Sequence, residues 1–355
     1  MSRRYAILAP HRFESDAKTA HGVIRYGNDA VVAVIDPALA GKRVREVLPF
    51  LNSDAPIVAS FAEALEFSPT ALLIGTAPKG GGLPPDWRAD VLAAIAAKLE
   101  IVSGLHDMLN ADREFRMASR AAGTTIWDVR EPPEVPLFAG DVYALGAPIV
   151  LTVGSDCAVG KMTVSLELVR AAQSSGRNAR FVPTGQTGIM IAGWGISVDR
   201  VIIDFAPGAA EQLVLYAAHH GADLIVVEGQ GALNHPAYAP VTLALMTGCA
   251  PDALVLVCDP RLTAIESYPT PALGYAESIE IHERLLATIK PAKVAGIALR
   301  THGLSEDEAR AEIALAKRET GLPADDIVRF GAQRFYSEIA PLIVKSRPLE
   351  AVRHA

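Results

Sequence analysis

Short apolar, β-branched runs alternate with helical patterns along nearly the whole chain, and that alternation leaves few folds open. Strands separated by helical crossovers pair in parallel, so the runs Tyr5–Ala9, Ala30–Ile35, Ile57–Ala59, Ala71–Ile74, Ile101–Ser103 and Thr125–Val129 predict one doubly wound sheet. The runs Pro148–Val153, Ala179–Val182, Leu224–Val227, Ala253–Val257, Val294–Ala298 and Ile327–Phe330 predict a second. Between the two series lies Glu131-Pro-Pro-Glu-Val-Pro136, where the prolines permit only an extended connection. The expected boundary falls there, giving domains over 1–135 and 136–355. Ser305 with Glu308 three positions later forms a capping box and predicts a helix onset inside the second series.

The length of 355 residues suits two domains at about 100–200 residues each. Half the residues are apolar but only 6% aromatic, the composition of sheets covered by helices on both faces. A net charge of −7 leaves no basic footprint for a nucleic-acid backbone, so nucleic acid is not an expected partner. Cys157, Cys249 and Cys258 are odd in number and lack metal-ligand spacing, which suits reduced thiols and no metal site. The first ten residues hold too short an apolar run for a signal peptide, and no later stretch has membrane-spanning character. The chain is expected to be soluble, cytoplasmic, without a membrane partner, and a symmetric homo-oligomer acting on small-molecule substrates.

One loop carries specific chemistry. The apolar strand Ile149–Val153 runs into Gly154-Ser155-Asp156-Cys157-Ala158-Val159-Gly160-Lys161-Met162-Thr163, and a helical pattern begins at Thr163. Strand, glycine turn and helix in that order predict a phosphate cradle, in which backbone N–H groups, a helix N-terminus and the Lys161 ammonium act together. Thr163 offers a hydroxyl to Mg²⁺, although Met162 follows the lysine directly. The alternative is an ordinary strand-to-helix turn with a solvated lysine. Gly154, five residues, then Gly160-Lys161 resembles the phosphate-loop variant of dethiobiotin synthetase and MinD-type proteins.

Further polar groups fall on predicted strand ends of the same sheet edge. Glu228 is a candidate metal-bound carboxylate or general base, or else a turn cap. His235 is a candidate proton carrier, or a structural histidine. Asp199 and Asp204 read as surface carboxylates. Cys157, inside the phosphate loop, has the setting that favours thiolate, although a small side chain there also serves simply to let phosphate approach. In the first domain Lys79 with Gly80–Gly82 is a candidate anion site and Arg130 a candidate carboxylate clamp; His106 and Asp107 are ambiguous.

Taken together, Ala77-Pro-Lys-Gly-Gly81, Ser103-Gly-Leu-His106, Trp127-Asp-Val-Arg130, the 154–163 loop, Pro183-Thr-Gly-Gln-Thr-Gly188 and Val227-Glu-Gly-Gln-Gly231 resemble one family over nearly the whole chain. It has a Rossmann-like N-terminal domain and a P-loop NTPase-like C-terminal domain, and its assigned activity is D-glutamate N-acetyltransferase. The resemblance implies an α/β fold of two doubly wound, mostly parallel domains. It implies acetyl transfer from acetyl-CoA to D-glutamate, whose product an epimerase or racemase would convert further. Under that implication Glu228 is the general base with His235 in reserve. Gln186 or the N–H groups around Gly185–Gly188 serve the oxyanion, and Lys79, Arg130, Thr184, Gly185 and Arg300 bind substrate. Two other readings compete. An ATP-dependent ligase or kinase of the dethiobiotin synthetase type would use Lys161, Thr163 and Glu228, but its substrate lysine is missing from Arg180-Phe-Val-Pro183. A guanine-nucleotide switch would want Asn-Lys-x-Asp, absent from Cys258–Arg261 and Ala298–His302.

Overall fold

A computed structural model describes residues 2–76 and 80–346. The chain divides into two compact units, one of residues 1–132 with 186–197 and one of 133–185 with 198–355. Each is built on its own six-stranded sheet in which every recorded strand pair is parallel. Among the described residues no helix is long and apolar enough to cross a membrane.

The first sheet uses β1 (Arg4–Leu8), β2 (Ala30–Ile35), β3 (Ile57–Val58), β4 (Ala71–Ile74), β5 (Glu100–Ser103) and β6 (Ile126–Asp128), in the order β3-β2-β1-β4-β5-β6. The order reverses between β1 and β4, the hallmark of a doubly wound, Rossmann-like sheet. Its inner strands are apolar along their length because helices cover both faces. Ala6, Leu8, Leu72, Ile74 and Ile101 sit in one core with Trp87, Val91 and Phe115 from those helices. The segment Gln186–Ser197 joins this unit through the helix Gln186–Ala192, where Thr187 Oγ1 lies 3.1 Å from Thr19 Oγ1. Nothing in the sequence pattern marks that excursion, and the expected division at 135/136 does not include it.

The second sheet uses β7 (Ile149–Gly154), β8 (Ala179–Val182), β9 (Leu224–Val227), β10 (Ala253–Cys258), β11 (Lys293–Leu299) and β12 (Ala324–Asp325), in the order β12-β11-β10-β7-β9-β8. β7 is central and wholly buried. Ile149, Val150, Leu151 and Val153 are at most 1% exposed, each contributing about 1.5–3 kcal/mol by leaving water. The proline-rich 131–136 segment is irregular, as expected. Beyond it the N–H groups of Ala139 and Val142 donate to the buried carboxylate of Glu211, anchoring the connection on the helix Ala206–His219. The helix Glu306–Thr320 opens with the anticipated box: Ser305 Oγ accepts from the Glu308 N–H, and Glu308 Oε2 accepts from the Ser305 N–H.

One strand is displaced from its expected place. Ile327–Phe330 is a turn, and the edge strand lies earlier, at Ala324–Asp325. Asp326 is the reason. Its Oδ1 accepts from the N–H groups of Val328 and Arg329, its carbonyl accepts from Phe330, and its Oδ2 takes the N–H and hydroxyl of Thr301. Local side-chain bonding of this kind outcompetes a sheet ladder.

Candidate functional site

β7 ends at Gly154, and the chain turns at Ser155, whose N–H donates to Val257 O of β10 at 3.0 Å. Ala158 (φ 55°) and Gly160 (φ 105°) occupy left-handed conformations before the helix Lys161–Ser174 begins. At Gly160 this conformation suits glycine alone among common residues; at Ala158 it is a strained position retained in the loop. A Cβ on Gly154 would stand 2.9 Å from Lys161 Nζ, so glycine is needed for the lysine to fold back over the turn. The strand, the left-handed turn and the helix start are thus where the motif requires them.

Lys161 is 6% exposed, and its ammonium donates to Asp156 O at 2.7 Å. Burial lowers its pKa to about 8, against the opposing pull of Cys157, Asp156, Glu228 and Cys258. Asp156 braces the loop: its carboxylate accepts from the N–H of Cys157 at 2.5 Å and from that of Glu266 at 2.8 Å. Beneath the loop, Thr152 Oγ1 lies 3.0 Å from Ser165 Oγ and accepts from the Gly229 N–H at 2.9 Å, joining β7, the loop helix and the end of β9. A Cβ on Gly229 would fall 1.6 Å from Thr152 O. Gly229→Ala is therefore expected to cost about 3 kcal/mol of stability or more, read as a lowered midpoint in thermal or denaturant unfolding.

Glu228, directly after β9, is buried beside this loop. Its Oε2 accepts from the N–H groups of Thr184 at 3.1 Å and Gly185 at 3.3 Å, and Thr184 Oγ1 donates to Glu228 O at 2.8 Å. Gln230 Nε2 completes the knot by donating to Thr184 O at 2.6 Å. Burial pushes the Glu228 carboxyl up to about 7; the two N–H donors and Lys161 oppose the rise, while Asp199 adds to it. A carboxyl poised near neutrality beside an ammonium lowered toward the same range is suited to moving protons.

His235 is 3% exposed, and its Nδ1 accepts the N–H groups of Ala237 and Tyr238. Backbone N–H groups only donate, so the neutral ring carries its proton on Nε2, which faces Asp156 Oδ1 at 3.8 Å. In this setting His235 presents a proton rather than a base, contrary to its reserve role. Asp156, Cys157 and His235 bring three ligand-type atoms within 4.8 Å of one another. A metal on Nε2 would require the ring proton to sit on Nδ1, the tautomer that the N–H groups of Ala237 and Tyr238 oppose.

The remaining expected residues are scattered. Thr184 and Gly185 adjoin Glu228, and the Gly185 N–H is spent on that carboxylate, which removes it as an oxyanion donor. Gln186 belongs to the first unit, against Gly104. Arg130 is buried there too, its Nε donating to Gly104 O at 2.9 Å. Lys79 lies outside the described residues. Asp199 and Asp204 are exposed. Arg300 is half-exposed and bonded to Asp259, a buried carboxylate that sequence reading passed over although it directly follows β10. Thr152 and Ser165 were also missed, since a hydroxyl in an apolar strand and one in a helix carry no pattern until they meet.

The profile of the DUF1611 P-loop domain, a domain of unknown function, matches residues 136–336, and that of the DUF1611 Rossmann-like domain matches residues 37–132. A D-glutamate N-acetyltransferase of Tritonibacter scottomollicae is 36% identical over 281 residues, covering 78% of this chain and 83% of that protein. One from a Pseudoalteromonas species is 34% identical over 282 residues, covering 79% and 84%. The crystal structure of a DUF1611 family protein from Anabaena variabilis superposes with a TM-score of 0.90 at 38% identity, covering 96% of this chain and all of that one.

Proposed function

Since this chain belongs to the DUF1611 family, which joins a Rossmann-like domain to a P-loop domain, we propose that it transfers the acetyl group of acetyl-CoA to the amino group of D-glutamate. The two relatives, both D-glutamate N-acetyltransferases, suggest the acceptor and the group transferred. The observation that carries the reading to this chain is the pairing of a phosphate-type loop with Glu228, a buried carboxyl whose pKa is about 7, beside Lys161.

Acetyl-CoA carries a diphosphate, and a helix N-terminus at Lys161 with that residue's ammonium beside it is the kind of field a diphosphate needs. Thioester aminolysis needs no metal of itself; Met162, directly after Lys161, is a poor ligand for a hard cation, and a Mg²⁺ at the loop would rely on the Thr163 hydroxyl.

The acceptor's ammonium must lose a proton before its nitrogen attacks the thioester carbonyl. The C–N bond then forms as the C–S bond breaks, and the departing thiolate takes up a proton. Glu228 suits both transfers, since near neutral pH it is divided between its two protonation states. Lys161 and Glu228 share one end of the sheet, so this role requires the pantetheine arm to turn back along that edge. The test is mass spectrometry of products after incubation with acetyl-CoA and a panel of D- and L-amino acids. An N-acetyl product confined to D-glutamate is expected; acetylation of none, with Mg²⁺-dependent ATP hydrolysis instead, would replace this reading by the ligase or kinase one.

A further inference from the structure

At the ends of β10 and β11 two guanidinium groups share one carboxylate. Arg261 donates to Asp259 through Nε at 2.9 Å and through a terminal nitrogen at 2.6 Å, and Arg300 donates to the same Oδ2 at 3.1 Å. The Asp259 side chain is 2% exposed, whereas those of Arg261 and Arg300 are 40% and 45% exposed. Burial alone would raise Asp259, yet the two arginines hold it below the usual carboxylate range. The carboxylate neutralises one guanidinium, so the cluster keeps a net positive charge facing solvent on a chain whose overall charge is −7. Gly303, in a left-handed conformation (φ 89°), lets the loop after β11 lie close over Arg261: a Cβ there would meet a terminal nitrogen at 2.8 Å. Asp259 thus braces both guanidinium groups and the loop at Gly303 lies against Arg261, while both arginine side chains stay partly exposed.

Its position relative to the phosphate loop follows from the sheet. Val257 of β10 is in register with Gly154 of β7, and Cys258 with Leu299 of β11, so the three strands end level. β11 is two inter-strand spacings from β7, about 10 Å. A diphosphate on the loop thus has a second cationic centre on the same edge, based two strands away on side chains long enough to reach back toward the loop. Coenzyme A has such a second anion, the phosphomonoester on the 3′ oxygen of the ribose whose 5′ oxygen bears the diphosphate.

We propose that Arg261 and Arg300, braced by Asp259, bind the 3′-phosphate of the acetyl donor and so select coenzyme A thioesters over dephospho-coenzyme A thioesters. This rests on acetyl-CoA being the donor, and it moves Arg300 from acceptor to donor recognition. Guanidinium groups are suited to the task because they meet phosphate oxygens in a planar fork.

The experiment compares acetyl-CoA with acetyl-dephospho-CoA as donors to D-glutamate, in the unaltered protein and in Arg300→Met. Arg300→Met leaves Asp259 its three bonds from Arg261, two from the guanidinium and one from the backbone N–H, and the donor comparison in the unaltered protein needs no variant at all. The expected KM for acetyl-dephospho-CoA is about tenfold or more above that for acetyl-CoA. Arg300→Met should raise the KM for acetyl-CoA by about tenfold, while leaving those for acetyl-dephospho-CoA and D-glutamate unchanged. Equal KM values for the two donors in the unaltered protein would overturn the proposal, as would a rise confined to D-glutamate in the variant. Absence of turnover with either donor would instead remove the acetyl-CoA reading itself, and this assignment with it.

Discussion

Lys161→Met should bind acetyl-CoA about 30-fold to a thousandfold more weakly than the unaltered protein, because it removes the ammonium of a buried, charge-assisted contact to the diphosphate. Titration calorimetry reads this directly. The same substitution should leave the protein at least as stable. Burial lowers the Lys161 pKa from 10.5 to about 8, so holding the ammonium charged in the fold is unfavourable at neutral pH. The sign follows: the lysine's contribution to stability is lost as pH falls from its unfolded value through about 8, and methionine has no such charge to desolvate. A variant that kept full donor affinity would show that the loop does not hold the diphosphate. One that lost affinity by unfolding would be recognised by a lowered melting temperature at pH 7.

Glu228→Gln should lower kcat by about a hundredfold to ten-thousandfold, the usual yield of a positioned base, while changing acetyl-CoA affinity little. The unaltered protein should show kcat rising with pH through about 7 as Glu228 loses its proton; the variant should lack that limb. Stability gives an independent reading. The folded pKa is raised, so the favourable contribution of Glu228 is complete below its unfolded value near 4.5 and is lost as pH climbs through about 7. Glutamine cannot ionise and still offers an oxygen to the N–H groups of Thr184 and Gly185. The variant's stability advantage should therefore grow between those two pH values, reaching on the order of 3 kcal/mol. If the stability advantage appears and kcat does not fall, Glu228 is a buried strut and the proton is moved elsewhere.

Much of this arrangement could be read before any coordinates. The apolar run into Gly154, with Gly160-Lys161 at a helix start, specifies strand, turn and helix by local rules, and the structure places them so. Ser305 and Glu308 announce their helix in the same local way. What escaped reading depends on residues far apart in the chain or on side-chain bonds inside short turns. Glu228 is recognisable as a carboxylate after a strand, but its raised pKa comes from burial among groups supplied by two other segments. His235 could be noticed as titratable, whereas its tautomer is set by the N–H groups of Ala237 and Tyr238 in a turn with no sequence signature. Ile327–Phe330 has a strand-like composition and is a turn because Asp326 bonds locally. Gln186–Ser197 looks like any helix after a strand, and only its packing assigns it to the first unit.

Gly229 limits how a lineage built on this scaffold can change. As long as β7 and β9 remain neighbours, no larger residue fits where Thr152 O stands 1.6 Å from a would-be Cβ. Mutational drift is blocked at that step, and Glu228 is carried along beside it on the same stiff backbone. New acceptor preferences would then have to be invented on the flanking loops, with the proton-handling corner inherited unaltered.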